Sequence, residues 1–214
     1  MKEYSKTLIG DGGGPQKVGI KAVEEYNIDM FGLPVKIAIG KAGLKPVYDL
    51  QLPDFGKGTE VILDEIRNEA VRRLGGEGVD ISKLGLREKF REEVKKIVEA
   101  EVVNIKDEEK LSMINTVCSN ATGLGPIEWM LADPNLEEIV VNGPQENIRV
   151  YHRKYGWLES TIGFKDKSVI ENYSKKIGRD VGREISVLSP LLDAHLPSGD
   201  RANAILEPIS DKGI

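Results

Sequence analysis

The sequence predicts an α+β protein in which a helical region is followed by a region of alternating short strands and helices. Apolar residues recur at helical spacing between about residues 59 and 120, whereas after Thr122 short apolar runs alternate with sharp turn signals. With 214 residues, the chain is long enough for one large core or for two smaller ones joined by a linker. We therefore expect at least two structural regions.

The first 50 residues divide into two parts. Residues 1 to 32 contain a glycine cluster, Gly12 to Gly14, followed by Pro15, and show little apolar periodicity, which predicts a flexible leader. Two apolar runs, VKIAIG and PVYDLQL, follow between Leu33 and Gln51, with Gly43 between them. This pattern predicts a hairpin or strand pair.

Three helices are predicted over residues 59 to 120. The first begins with Thr59 as its cap and ends before Gly75, the second has apolar residues at helical spacing from Leu86 to Val102, and the third begins near Asp107. Their apolar faces predict a small helical bundle. Together with the strand pair, this bundle would form one subdomain over residues 33 to 120.

Residues 121 to 214 are predicted to form a second, α+β domain. A helix is expected after Gly125, because Pro126 suits the first helical position, and another is expected between a cap at Asp166 and a terminating Gly178. The chain then forms a hairpin with the sequence PSGD at its tip. The strands expected between the two helices cover residues 138–141, 148–152 and 157–161.

Composition limits the classes of function. The 30 Lys and Arg residues face 35 Asp and Glu residues, which gives a net charge of -5, so we expect no nucleic acid as the main partner. The single cysteine, Cys118, cannot form an internal disulfide and is predicted to be a small buried residue in a reducing compartment. Neither an apolar leader segment nor a run of about 18 apolar residues occurs. We therefore expect a cytoplasmic protein.

Phosphate and metal sites are not predicted. Three glycine-rich stretches, DGGGPQK, IAIGKAG and FGKGT, lack the first glycine or the final hydroxyl that the pattern G-x-x-x-x-G-K-[ST] requires, so they are interpreted as linkers and turns. The two histidines, His152 and His195, lie far apart and have no cysteine partners, so they are expected to be ordinary strand residues. We expect no catalytic residue and no metal ligand in this chain.

Three linked segments have a specific resemblance. TGLGPIEWMLADPNLEEIVVNGP begins at Thr122, VYHRKYGWLES at Val150 and SPLLDAHLPSGDRANAIL at Ser189. In order and spacing they resemble the N-terminal domain of the type II/type IV secretion ATPase superfamily, especially its archaeal branch of secretion, Tad-type pilus and archaellum motor ATPases. The resemblance covers residues 120 to 214. Residues 33 to 118 match the family's smaller helical subdomain in position and pattern only.

The resemblance implies a PAS-like α+β domain that stacks on a RecA-like motor domain. Six such subunits form a ring in the cytoplasm, at the inner face of the cell membrane, and act with a membrane platform protein to export proteins or assemble a pilus or archaellum. ATP and Mg²⁺ bind at the cleft with the motor domain. The sequence contains neither Walker A nor Walker B. It is therefore expected to be a shortened chain that is inactive as an ATPase by itself.

Arg201 is the one candidate for a cofactor-binding residue. In the family's LPDGSR-type turn the matching arginine contacts nucleotide phosphates, and a guanidinium is suited to bidentate bonds with phosphate. The residues alone favour a solvated hairpin arginine paired with Asp193 or Asp200, and the phosphate role is what the resemblance implies. Two departures from the family are His195, where relatives often have arginine, and Asp200, where many have serine.

Two further features remain open to a simpler explanation. The segment from His152 to Tyr155 is basic with flanking aromatic residues, which fits either nucleic-acid stacking or a polar hairpin turn. Trp129 and Trp157 are expected to be packing residues. The alternative to the ATPase hypothesis is a stand-alone PAS-like interaction or sensor module without a motor.

Overall fold

A computed structural model describes residues 2–9, 16–75, 85–196 and 198–210. The described residues form nine strands and five helices. The strands are β1 (Lys2–Ile9), β2 (Gln16–Met30), β3 (Leu33–Ala42), β4 (Lys45–Leu50), β5 (Leu136–Val140), β6 (Asn147–His152), β7 (Gly156–Phe164), β8 (Leu191–His195) and β9 (Arg201–Ile205). The helices are α1 (Lys57–Arg73), α2 (Leu86–Glu101), α3 (Asp107–Thr122), α4 (Pro126–Leu131) and α5 (Lys167–Asp180).

The predicted α+β class is confirmed, but the main sheet is mixed. It has seven strands in the order β1-β2-β3-β4-β7-β6-β5, and β8 pairs with β9 in a separate antiparallel sheet. The expectation of an antiparallel main sheet is wrong, because β7 runs parallel to both β4 and β1, with Val47 opposite Glu159. These partners are distant in sequence, so local patterns could not show their direction.

The predicted strand pair is confirmed as the β3–β4 hairpin. Its strands are antiparallel, and Gly43 adopts a φ of 64° in the two-residue turn between them. Gly40 lies within β3, where a Cβ atom would come 2.5 Å from the backbone oxygen of Lys21. The stretch IAIGKAG is therefore strand and turn: Gly40 allows close strand packing, and Gly43 serves the turn.

The expected flexible leader is wrong for residues 2–9, which form β1, and for residues 16 to 30. The latter segment forms the long strand β2, in which Ile20, Ile28 and Met30 are buried. Its apolar residues alternate imperfectly with charged ones, and its order comes from pairing with neighbouring strands, which sequence periodicity did not reveal. Gly12 to Gly14, the basis of that expectation, lie outside the described residues.

The chain divides into two compact units at boundaries other than those predicted. One unit contains the described residues within Met1–Tyr26, Lys36–Leu50 and Asp133–Ile214, and the other contains Asn27–Val35 and Gln51–Ala132. The strand pair therefore belongs mainly with the later strands rather than with the helices. We call these the sheet unit and the helical unit.

Helices α1, α2 and α3 share one apolar core in the helical unit. Phe90, Val94, Ile97 and Val98 of α2 are fully buried against residues of α1 and α3. Burying each such side chain stabilises the unit by about 1.5 to 3 kcal/mol. The three predicted helices are present within a few residues of their expected bounds, and Cys118 is buried in this core as predicted.

The second region also matches the predicted elements, with one correction. Helix α4 begins at Pro126 and strands β5 to β7 occupy the expected segments. Gly178 does not end α5, which continues to Asp180; a Cβ atom at Gly178 would lie 2.9 Å from the Arg183 backbone oxygen. Gly182, with a φ of 69°, terminates the helix instead, and Arg183 N–H donates to the Gly178 carbonyl.

No helix among the described residues is long and apolar enough to cross a membrane.

Candidate functional site

Arg201 lies at the start of β9, beside the tip of the β8–β9 hairpin. The chain turns as predicted between Leu196 and Asp200: the Leu196 N–H donates to the Asp200 carbonyl at 2.8 Å, and Gly199 has a φ of 96°. Pro197 of the PSGD sequence lies outside the described residues. The Ser198 hydroxyl donates to the Asp200 carboxylate at 2.7 Å. Asp200 is thus engaged within the turn.

The hairpin has one buried and one exposed face, because alternate residues of a strand point to opposite sides. Leu192 and Ala194 are buried in an apolar cluster with Ile185 and Leu206. The exposed face consists of three cross-strand pairs: Leu191 with Ile205, Asp193 with Asn203, and His195 with Arg201. We call these six residues the hairpin face.

Arg201 pairs with Asp193 across the hairpin face. Its Nε lies 3.0 Å from Asp193 Oδ1 and its Nη2 lies 2.9 Å from Oδ2, which is a bidentate arrangement. The hydrogen bonds with Arg201 lower the pKa of Asp193, and those with Asp193 raise the pKa of Arg201. Of the two carboxylates that the sequence left open, Asp193 and not Asp200 is therefore the partner of Arg201.

The pair is exposed to solvent. The Arg201 and Asp193 side chains are 62% and 53% exposed. A surface ion pair of this kind contributes little to stability, so the guanidinium can change partners at low cost. Arg183 supports the hairpin from outside by donating to the Asp193 backbone carbonyl.

Exposed apolar side chains lie within the hairpin and just before it in sequence. Leu188 is 97% exposed in a tight turn closed by hydrogen bonds between Ser186 and Ser189. Leu191 and Ile205 are also exposed and lie opposite each other in the hairpin face. A single exposed apolar residue is common on protein surfaces, whereas several near one another in sequence indicate a contact surface.

The basic tip between β6 and β7 does not present free cations. Arg153 Nε lies 3.1 Å from Glu137, and Lys154 Nζ lies 2.5 Å from Glu24. The Tyr155 hydroxyl also donates to Glu24. Of the two explanations left open by the sequence, these contacts favour the polar turn.

A buried carboxylate, missed by sequence reasoning, lies in the sheet unit. Asp133 is 3% exposed, and its Oδ2 accepts hydrogen bonds from the hydroxyls of Tyr26 at 2.6 Å and Tyr48 at 3.0 Å. Its Oδ1 accepts from the backbone and side-chain amides of Asn135 at 2.9 and 3.1 Å. The pKa of both tyrosines is raised, mainly by burial and to a smaller extent by the interaction with Asp133. In the sequence, Asp133 and Pro134 form one of the sharp turn signals after Thr122, and a turn signal does not indicate a buried carboxylate.

His152 lies beside this carboxylate in β6 and is almost fully buried. Its Nδ1 accepts a hydrogen bond from the Lys154 N–H at 3.1 Å, so the proton of the neutral ring is assigned to Nε2, which has no partner among the described residues. Burial lowers the pKa of His152, while the nearby carboxylates of Asp133 and Glu24 oppose that shift. His152 and His195 are both strand residues, as predicted.

The TGLGP motif builds a helix corner in the helical unit. The Ser119 hydroxyl donates to the Gly125 carbonyl at 2.8 Å and accepts from the indole N–H of Trp129 at 3.1 Å. Gly125 has a φ of 56°, which favours glycine. Trp129 is buried and packs as predicted, whereas Trp157 is 43% exposed.

The described residues contain few groups suited to nucleotide or metal chemistry. No group of three or more His, Cys, Asp or Glu side chains is arranged to hold a metal ion in this part of the chain. The stretch FGKGT begins helix α1 without a phosphate-binding loop, and DGGGPQK lies largely outside the described residues. The exposed Arg201 guanidinium is of the chemical type that binds phosphate.

Comparison with models of known protein families finds no match. Three proteins of Methanocaldococcus jannaschii are similar to parts of the chain. Uncharacterized protein MJ0900 is 35% identical over 112 residues, which is 52% of this chain and 20% of that protein. Uncharacterized protein MJ1288 is 28% identical over 133 residues, or 62% and 53%. Uncharacterized protein MJ0781 is 38% identical over 90 residues, or 42% and 12%.

The chain thus spans about half the length of one of these relatives and a fifth or less of the other two.

Proposed function

We propose that this chain is the N-terminal adaptor region of a ring-forming secretion ATPase, in which the hairpin face contacts a RecA-like motor domain. In this proposal Arg201 exchanges Asp193 for a nucleotide phosphate when the two domains close. ATP and Mg²⁺ would be held mainly by the motor domain, and this region would contribute one guanidinium.

The geometry of Arg201 is the observation that best supports this role. The guanidinium is exposed and is held in a bidentate pair by one exposed carboxylate. A phosphate can replace that carboxylate with the same fork geometry, because both groups present two oxygens to the guanidinium. The pairing therefore keeps the arginine oriented without burying it.

The apolar surroundings support a contact with another domain. Leu191 and Ile205 share the hairpin face with Arg201, and Leu188 is nearly fully exposed nearby in sequence. Closing a second domain over these residues would remove apolar surface from water and would also strengthen a charged contact beside them. The motor domain is the occupant that the resemblance implies.

The remaining features of the proposal follow from the resemblance. They are a PAS-like arrangement of the sheet unit, a helical bundle as the smaller subdomain, a hexameric ring and a membrane platform protein as partner. The relatives are compatible with it, since in two of them the matching region is a fifth or less of a longer protein.

The test is the ATPase activity of the full-length protein. Arg201→Ala should lower kcat/KM for ATP by about 10- to 100-fold, the range expected for losing hydrogen bonds between charged groups. Arg153→Ala is the matched control, because Arg153 is another exposed arginine with one carboxylate partner in the same unit. That variant should keep its activity.

Asp193→Asn separates a nucleotide role from a structural one. It removes the carboxylate but leaves the guanidinium, so activity should be retained if Arg201 acts on phosphate. Equal losses in Arg201→Ala and Asp193→Asn would instead indicate that the pair only shapes the hairpin. A full-length protein without ATPase activity would favour the stand-alone interaction or sensor module.

A further inference from the structure

The sheet unit has an open groove at a distance in sequence from the β8–β9 hairpin. It has a volume of about 520 Å³, within the range of ligand sites, and it is bounded by the beginnings of β4 and β7, by β6 and by the loop before β6. We call it the Trp157 groove. Among the residues that line it are Lys45, Asn142, Gln145, Arg149, Trp157 and Glu159.

Arg149 is the unusual residue of this groove. It lies opposite Glu159 in the β6–β7 ladder, yet the Glu159 carboxylate accepts from Asn147 Nδ2 at 2.7 Å and from Lys45 Nζ at 3.4 Å. The Arg149 guanidinium instead lies 5.7 Å from the Trp157 ring centroid. Among the described residues it has no carboxylate partner, so its N–H groups can donate hydrogen bonds to a ligand.

Trp157 adds an exposed aromatic surface beside that guanidinium. Its ring packs against Tyr151 in a T-shaped pair with centroids 5.3 Å apart, while 43% of the residue remains exposed. Neighbouring Trp and Arg side chains are the types that dominate binding energy at protein interfaces. The structure also holds both in place before any ligand arrives, which lowers the ordering cost of binding.

The other groups in the groove select the kind of anion. Glu159 and Glu146 place two carboxylates at the site, and they repel a phosphate dianion or a nucleic-acid backbone more strongly than they repel a single carboxylate. Asn142 and Gln145 carry carboxamides, which can donate to and accept from a peptide backbone. The net charge of -5 provides no general attraction for acidic molecules, so the local guanidinium must supply it.

From these observations we propose that the Trp157 groove binds a short acidic peptide segment of a partner protein. One carboxylate of the segment pairs with Arg149, the adjacent apolar or aromatic side chain packs on Trp157, and the main chain bonds to the carboxamides. This site is separate from the hairpin face and does not depend on the ATPase proposal.

The probe is an array of blocked hexapeptides whose two central positions carry every pair of amino acids. The intact chain should retain pairs of one acidic and one apolar or aromatic residue. The best pair is then measured in solution by the fluorescence of Trp157 in a Trp129→Phe background, since Trp129 is buried in the other unit. Its Kd should lie below about 1 mM.

Arg149→Gln should weaken that binding by about tenfold or more, because it removes a charge-assisted hydrogen bond. Arg153→Gln, whose arginine is paired with Glu137, should leave binding unchanged. Both variants should keep the circular dichroism spectrum and unfolding midpoint of the parent chain, which separates lost contact from lost fold.

Three results would overturn the proposal. One is an array in which no pair is retained above the level seen with Arg149→Gln. Another is equal binding when the acidic residue of the best peptide is replaced by its amide. The third is tighter binding of the matching phosphoserine peptide, which would make phosphate the ligand of the groove.

Discussion

Removing the Tyr48 hydroxyl tests how much its hydrogen bond to the buried Asp133 carboxylate contributes to the stability of the sheet unit. Tyr48 is fully buried and its hydroxyl donates to Asp133 Oδ2 at 3.0 Å. A hydrogen bond to a charged group contributes about 1.5 to 3 kcal/mol. Since Tyr26 continues to donate to the same oxygen, Tyr48→Phe should lower the free energy of unfolding by an amount near the lower end of that range.

The assay is urea unfolding in a Trp129→Phe background, where Trp157 fluorescence reports the sheet unit alone. Tyr151→Phe is the matched control, because the Tyr151 hydroxyl makes no hydrogen bond within the described part of the chain, and its removal should change stability by about 0.5 kcal/mol or less. In an Asp133→Asn background the Tyr48→Phe cost should fall to about 1 kcal/mol, the value of a neutral bond. Equal costs for the two tyrosine variants would refute the reasoning.

Two other predictions concern the helix corner and pH. Gly125→Ala should destabilise the helical unit by about 1 to 3 kcal/mol because its φ of 56° disfavours a side chain. Gly58→Ala, at an open helical position, should stabilise it by about 0.4 to 1 kcal/mol. Thermal unfolding measures both changes. Burial lowers the pKa of His152 below 6.5, so the unfolded chain takes up its proton first. Unfolding free energy should therefore decrease as pH falls below about 6.5, and His152→Gln should remove that component; an unchanged pH profile in this variant would exclude it.

The helices could be predicted because their signals are local. The apolar spacing in α2 leads directly to the buried positions Phe90, Val94 and Ile97. Helix ends were less certain, since a glycine near a helix terminus can serve either as a cap or as a site of close packing. Gly178 is a site of close packing, and Gly182 is the cap.

The sheet could be predicted only in part, because its order depends on strands far apart in sequence. The β3–β4 and β6–β7 hairpins have turn signals between them, whereas the parallel pairing of β4 with β7 has none. Strand β2 was missed for the same reason. Its neighbours, rather than its own pattern, make it a strand.

The surroundings of Arg201 could be predicted only in part. The PSGD turn and the sequence placed Arg201 beside the hairpin tip, but they left Asp193 and Asp200 as equal partners. Side-chain alternation along β8 and β9 decides between them, because Asp193 and Arg201 share the exposed face. The Asp133 cluster was missed altogether, since its donors come from separate strands and a turn.

Hydrogen–deuterium exchange of the full-length protein, with and without a non-hydrolysable ATP analogue, tests the central proposal most directly. If the hairpin face contacts a nucleotide-bearing motor domain, amides in β8 and β9 should exchange more slowly with the analogue, while amides in helix α2 should not change. This chain alone, with the same analogue, should show no change in the hairpin. Equal hairpin exchange with and without nucleotide in the full-length protein would contradict the account.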